Sequence, residues 1–222
     1  MADADPARLY LVSPVPQAPD ADAGTALAAR LEAALATGLV ACLRLDLGAR
    51  ADDQAWTRAV NALLPICHAA DVPLLATDRP ALVAPLGLDG VHLVQSTASI
   101  RRLRSTLGAD VIIGAWGGAE RHRAMTLAEA GADYVSVGPV GPEAEAVYAW
   151  WSDMIETPLV AEGGVDPAAA ARIGEIVDFA TPDPALVWDD PAAALPAFAA
   201  ALTASAPATD PAPASTAGGE PG

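Results

Sequence analysis

The feature that most narrows the fold of this chain is a rhythm: eight short apolar runs rich in Val, Ile and Leu alternate with eight Ala-rich stretches of helical spacing. The runs fall at 7–13, 39–46, 73–77, 90–94, 111–116, 134–139, 158–162 and 176–180. The helical stretches fall at 24–37, 52–70, 79–86, 98–107, 119–130, 143–156, 167–174 and 192–202. Continuous apolar strands belong to sheets covered on both faces, as parallel sheets are. Eight strands and eight helices in strict alternation predict a (β/α)8 barrel, with an open doubly wound sheet as the competing arrangement. The barrel is expected over 1–202. Residues 203–222, almost wholly Ala, Pro, Ser, Thr and Gly, predict a disordered tail, because they offer too little apolar surface to offset the entropy of ordering.

Composition excludes several classes of function. At 53% hydrophobic, the chain has ample material for a core. Twelve basic against 28 acidic residues give a formal charge of −16, so nucleic acid and anionic membrane surfaces are repelled rather than sought. All twelve basic residues are Arg; with no lysine in the chain, a Schiff-base lysine or a lysine at a phosphate is excluded. No window offers the roughly 18 uncharged apolar residues of a membrane span. The start, Met1-Ala2-Asp3-Ala4-Asp5-Pro6, does not read as a signal peptide. Cys42 and Cys67 make neither a disulfide framework nor a zinc site by spacing. A cytoplasmic location is expected.

In a (β/α)8 barrel chemistry sits at the C-terminal ends of the strands and in the loops after them. Those ends carry Arg44 and Asp46, Asp78 and Arg79, His92 with Gln95 and Ser96, Gly114 to Gly118, Gly138-Pro139, Glu162-Gly163-Gly164, and Thr181. Gly163-Gly164 would let backbone N–H groups approach a phosphate, or would serve a tight turn needing positive φ. Asp78 and Arg79 fit either ligand binding or capping of the next helix. His92, inside a strand, reads as a structural hydrogen-bonding residue. Arg101, Arg102 and Arg104, like Arg121 and Arg123, read as solvated helix faces, and Trp150-Trp151 as core or partner surface.

LYLVS in the first run, DGVHLVQ in the fourth, VIIGAW in the fifth, AEAGADYVSVGPV into the sixth and PLVAEGGV in the seventh resemble the thiamine-phosphate synthase/TenI superfamily. The resemblance implies a (β/α)8 barrel that joins a hydroxymethylpyrimidine pyrophosphate to a thiazole phosphate, with Mg²⁺ assisting and pyrophosphate departing. It implies Arg44 and Arg79 at the pyrophosphate, Gln95 beside them, Asp78 on Mg²⁺, and Gly163 and Gly164 on a phosphate. The partner implied is a small phosphorylated thiamine precursor; oligomeric state is left open.

The same motifs depart from the family pattern where charge is needed. Arg44-Leu45-Asp46 stands where Arg-x-Lys is usual, so a carboxylate replaces a cation. Thr77-Asp78-Arg79 keeps one magnesium carboxylate, whereas Val94-Gln95-Ser96-Thr97 lacks the second. Trp116 replaces a serine, the loop after Gly138-Pro139 has neither Thr nor Lys, and Glu162 stands where an apolar residue is usual. A carboxylate there would repel phosphate unless protonated or turned away. Three outcomes are open: a divergent synthase, a ligand-binding or regulatory barrel without turnover, or a small isomerase such as the TenI-type thiazole tautomerase, for which His122 lies several residues past the expected position.

Overall fold

The computed structural model describes residues 7–15, 23–95 and 99–204. The readings placed on the N-terminal six residues, on Ser96 and Thr97, and on the tail from 205 onward lie outside the described residues. Eight strands form: β1 (Arg8–Val12), β2 (Val40–Leu45), β3 (Leu74–Thr77), β4 (Gly90–Leu93), β5 (Ile112–Trp116), β6 (Tyr134–Val137), β7 (Leu159–Val165) and β8 (Phe179–Pro182). They pair in chain order and all in parallel, and β8 closes on β1 through Arg8 opposite Phe179 and Leu9 opposite Ala180. Closure decides for the barrel over the open sheet. The connecting helices are α1 (Ala23–Leu35), α2 (Asp53–Ala69), α3 (Val83–Leu86), α4 (Ile100–Leu107), α5 (Arg121–Glu129), α6 (Pro142–Met154), α7 (Pro167–Ile173), α8 (Pro184–Val187) and α9 (Pro191–Thr203). No described helix is long and apolar enough to cross a membrane.

Several elements differ from expectation: the single-turn α8 falls in none of the expected helical stretches, and β7 runs on to Val165 rather than ending at 162. The stretch at 79–86 forms a 3-10 turn, Pro80–Leu82, followed by the single-turn α3, since a proline at the start sets the turn without donating a backbone hydrogen bond. The last strand begins at Phe179, not 176. Ile176 closes a turn onto the Ile173 carbonyl at 3.0 Å, and Val177 is buried outside the ladder. Asp178 starts the strand instead: its carboxylate accepts the Leu159 N–H at 2.7 Å. The same device precedes β4 and β6, where Asp89 accepts the Leu74 N–H at 2.8 Å and Asp133 the Ile113 N–H at 2.6 Å. Three acidic residues of this chain thus tie neighbouring strands together at the N-terminal end of the barrel.

The period of two along each strand separates two cores. Leu43 and Leu45 of β2, Val135 and Val137 of β6 and Leu159 and Ala161 of β7 pack outward in one cluster with Leu31, Trp56, Val60, Leu63, Tyr148 and Phe198 of the helices. Tyr10, Val12, Cys42, Leu75, Tyr134 and Val160 pack inward in a second. Each fully buried Leu or Val contributes about 1.5–3 kcal/mol. Gly114 is required by this inner layer, because a Cβ there would lie 2.0 Å from Cζ of the Tyr134 ring. The hydroxyl of that ring shares one hydrogen bond with the Tyr10 hydroxyl at 2.7 Å and one with Nδ1 of His92 at 2.8 Å. Gly114→Ala is therefore expected to cost about 1–3 kcal/mol by overpacking, read as a lowered urea midpoint at unchanged m.

Candidate functional site

Moving two residues along each strand from the inward apolar layer reaches Arg44 from Cys42, Thr77 from Leu75, Ser136 from Tyr134, Glu162 from Val160 and Thr181 from Phe179. His92 sits between Thr77 and Gly114 in register. The top of the barrel interior is thus a ring of polar side chains. Arg44, His92, Ser136 and Thr181 are all buried. Burying them is tolerable only if they answer one another, and most do.

Arg44 donates through Nη1 to Oε2 of Glu162 at 3.1 Å and through Nη2 to Oε1 at 2.5 Å. The side chains are 5% and 15% exposed, so this bidentate pair works largely out of water. Burial alone would raise the Glu162 carboxyl, but the Arg44 charge and its hydrogen bonds outweigh burial and hold it below the ordinary carboxylate range. Burial likewise acts to lower Arg44, and Glu162 overrides it upward. The sequence offered two escapes for Glu162, protonation or turning away. The structure takes a third: the carboxylate stays charged and inward, neutralised by an arginine 118 residues away. A chain of hydrogen bonds continues beside it, from Tyr10 to Tyr134, to Nδ1 of His92, and from Nε2 of His92 to Ser136 at 3.3 Å. Burial first, and then the Arg44 charge, lower the His92 pKa to about 3, so its ring is neutral. His92 is the structural hydrogen-bonding residue the sequence indicates.

A cavity of about 520 Å³ opens beside this ring, at the ends of β2, β3 and β4. It gathers Asp46, Asp78, Arg79 and Gln95 with Trp56 and Thr77. Of the residues assigned from sequence, Asp78, Arg79 and Gln95 thus meet in one place, Arg44 faces the barrel interior, and Gly163 and Gly164 lie at the end of β7. Asp78, at φ +51°, accepts the Val94 N–H on Oδ1 and the Gln95 N–H on Oδ2, both at 2.9 Å, tying the end of β3 to that of β4. Arg79 donates to the Ala51 carbonyl at 2.9 Å and lies 5.9 Å from the centre of the Trp56 ring. Asp46 accepts the Gly48 N–H at 2.8 Å. Magnesium prefers one or two carboxylates plus phosphate oxygens. The described residues hold no group of three or more His, Cys, Asp or Glu placed for a metal, and the carboxylates nearest the cavity hold backbone amides. Asp46 and Asp78 are thus the carboxylates that this cavity offers a magnesium ion, and both are shared with backbone amides.

Gly163 and Gly164 have φ of +83° and +74° and occupy a bulge between Ala161 and Val165, where the pairing of β7 with β8 shifts register. A Cβ at Gly164 would meet nothing within 4 Å, so that backbone faces open space. Asp166 follows, with its carboxylate on the Ala169 N–H at 2.7 Å as the cap of α7. Elsewhere, His122 is exposed on α5 and Trp151 is core. Arg104 is no solvated face residue: it donates to the Val111 carbonyl at 2.5 Å and pairs with Asp133, pinning the turn before β5. Sequence reasoning missed the Arg44–Glu162 pair. Its signal was present, since Arg44 and Glu162 each stand two residues beyond an inward apolar position.

Comparison with known proteins agrees with this fold. A thiamine-phosphate synthase of Rhodospirillum centenum is 43% identical over 167 residues, 71% of this chain and 78% of that one. Another, of Erythrobacter litoralis, is 34% identical over 213 residues, 90% and 97% of the two chains. Among solved structures, the thiamine phosphate pyrophosphorylase of Pyrococcus furiosus superposes with a TM-score of 0.71 at 20% identity, covering 88% of this chain and 95% of that one. A 3-hexulose-6-phosphate synthase gives 0.61 at 16% identity, covering 87% and 99%, which speaks for the barrel alone. The thiamine monophosphate synthase family profile matches residues 9–176, and with that match spanning most of the barrel the chain belongs to this family.

Proposed function

We propose that this chain serves thiamine biosynthesis in the cytoplasm as a ligand-binding member of its family. It holds a small phosphorylated precursor at the barrel mouth, the phosphate against the Gly163-Gly164 backbone, and does not displace diphosphate at a useful rate. The observation that supports this reading is the charge balance of the mouth cavity: two carboxylates, Asp46 and Asp78, face one guanidinium, Arg79. A departing diphosphate needs its developing charge met by cations or donors already in place. Each charge-assisted contact contributes about 1.5–3 kcal/mol, and each 1.4 kcal/mol is about tenfold in rate. On that scale each missing cation slows displacement by about one to two orders of magnitude.

The relative at 43% identity that bears the synthase name favours a second reading, a divergent synthase using Arg44 and Arg79 at the diphosphate and Asp78 toward magnesium. One assay separates the two. Purified protein is mixed with the pyrimidine pyrophosphate, the thiazole phosphate and Mg²⁺, and thiamine phosphate and pyrophosphate are measured. Binding of either precursor without product is the expected result. Steady turnover by the wild type, lost in Asp78→Ala and Arg44→Ala proteins that circular dichroism shows to be folded, would establish the synthase.

A further inference from the structure

Arg44 meets Glu162 in the geometry by which a guanidinium grips a ligand carboxylate or phosphate: both outer N–H groups are engaged by two oxygens of one anion. Here the chain supplies the anion itself. Of the N–H groups that Glu162 does not engage, the one on Nε is buried and has no partner. On the same inner ring the hydroxyls of Thr77 and Thr181 are also buried and unpartnered. The top of the barrel therefore carries three unanswered hydrogen-bonding atoms around a positive charge that is already neutralised.

An incoming phosphate could take the paired face of Arg44, with its uncompensated charge, only by displacing Glu162. That would strand a carboxylate only 15% exposed, in a low-dielectric interior where like charges repel strongly. We propose that Glu162 is the specificity determinant of this mouth: as a built-in counter-anion it bars phosphate and diphosphate from Arg44, so the end of a ligand that reaches the inner ring is uncharged, a hydroxyl, carbonyl or ring nitrogen, and any phosphate stays at the glycine rim. The inference rests on the non-transferring reading above, since transfer would need Arg44 at the diphosphate.

The test is calorimetric titration of the full chain with inorganic pyrophosphate, with circular dichroism to verify folding. Wild-type protein is expected to show no Arg44-dependent binding up to millimolar concentration, so that any weak binding at the glycine rim is the same in folded Arg44→Met. Glu162→Ala is expected to bind at least tenfold more tightly than wild type, and the gain should vanish in the Arg44→Met/Glu162→Ala double variant. If Glu162→Ala does not fold, the near-isosteric Glu162→Gln is read in its place and should show the same direction of change. Folded Glu162 variants that bind no better than wild type would overturn the proposal, as would a gain that survives loss of Arg44. Wild-type binding that Arg44→Met abolishes would overturn it too. Product formation by wild type sinks the parent reading, whereas a flat titration series in a protein that makes no product sinks this inference alone.

Discussion

Arg44→Met is expected to destabilise the barrel by about 3–5 kcal/mol, the cost of removing one partner of a buried ion pair. For a chain of this size that lowers the melting temperature on the order of 10 °C. The loss comes from the group left behind rather than from the group removed. Glu162, held charged by Arg44, would face the inner ring with only Ser136 and a neutral His92 for company. Glu162→Leu should cost a comparable amount, because it leaves a buried guanidinium unanswered. The double variant Arg44→Met/Glu162→Leu removes both charges and fills their space with apolar atoms, so it should recover most of the loss. Thermal melts of the four proteins form a double-mutant cycle whose coupling isolates the pair. An Arg44→Met protein melting within a degree of wild type would show that the pair holds nothing together.

That pair also marks the limit of what one-dimensional reading delivers. The barrel was legible because each strand repeats the same local message, an apolar run closed by turn residues, and eight repeats outweigh the error in any one. Where a single run stood alone the message failed. Ile176-Val177 is as apolar as any strand, yet it packs as a turn beneath the barrel because Asp178 captures the Leu159 amide and fixes the true start. Apolar character reports burial, not conformation.

The site was legible in its positions and less so in its partners. Asp46 reads as a lost cation, but it also shapes the chain locally. Asp46-Leu47-Gly48 forms an aspartate turn, with the carboxylate on the Gly48 N–H and the Asp46 backbone bonded to Ser13. The Asp-x-Gly spacing announces that turn without any structure. Asp78, open in sequence to ligand binding or to capping of the next helix, instead accepts two amides at the end of the neighbouring strand β4 while lining the cavity. The Arg44–Glu162 contact is different in kind. It joins β2 to β7 across the barrel interior, and strands that are not neighbours in the ladder share only the lumen. Parity along each strand points both residues inward, but only closure of the barrel brings them face to face.

The neutral His92 gives the fold a pH dependence whose sign follows from its displacement. The folded ring titrates near 3, whereas its ordinary value is 6.5. Between those values the unfolded chain binds a proton that the folded chain refuses. Stability is therefore complete above pH 6.5 and declines as pH falls toward 3, by about 1.4 kcal/mol per pH unit. From pH 6.5 to 4.5 the loss attributable to His92 is about 2 kcal/mol. Glu162, held low by Arg44, adds a further loss only as pH drops below the ordinary carboxylate range. His92→Gln keeps a polar side chain between Tyr134 and Ser136 but cannot take up the proton, so its urea-derived stability should fall less steeply over the same interval. The comparison is of slopes, and whatever the substitution costs at neutral pH drops out of it. Parallel slopes for the two proteins would mean that the His92 proton is not what the buried ring excludes.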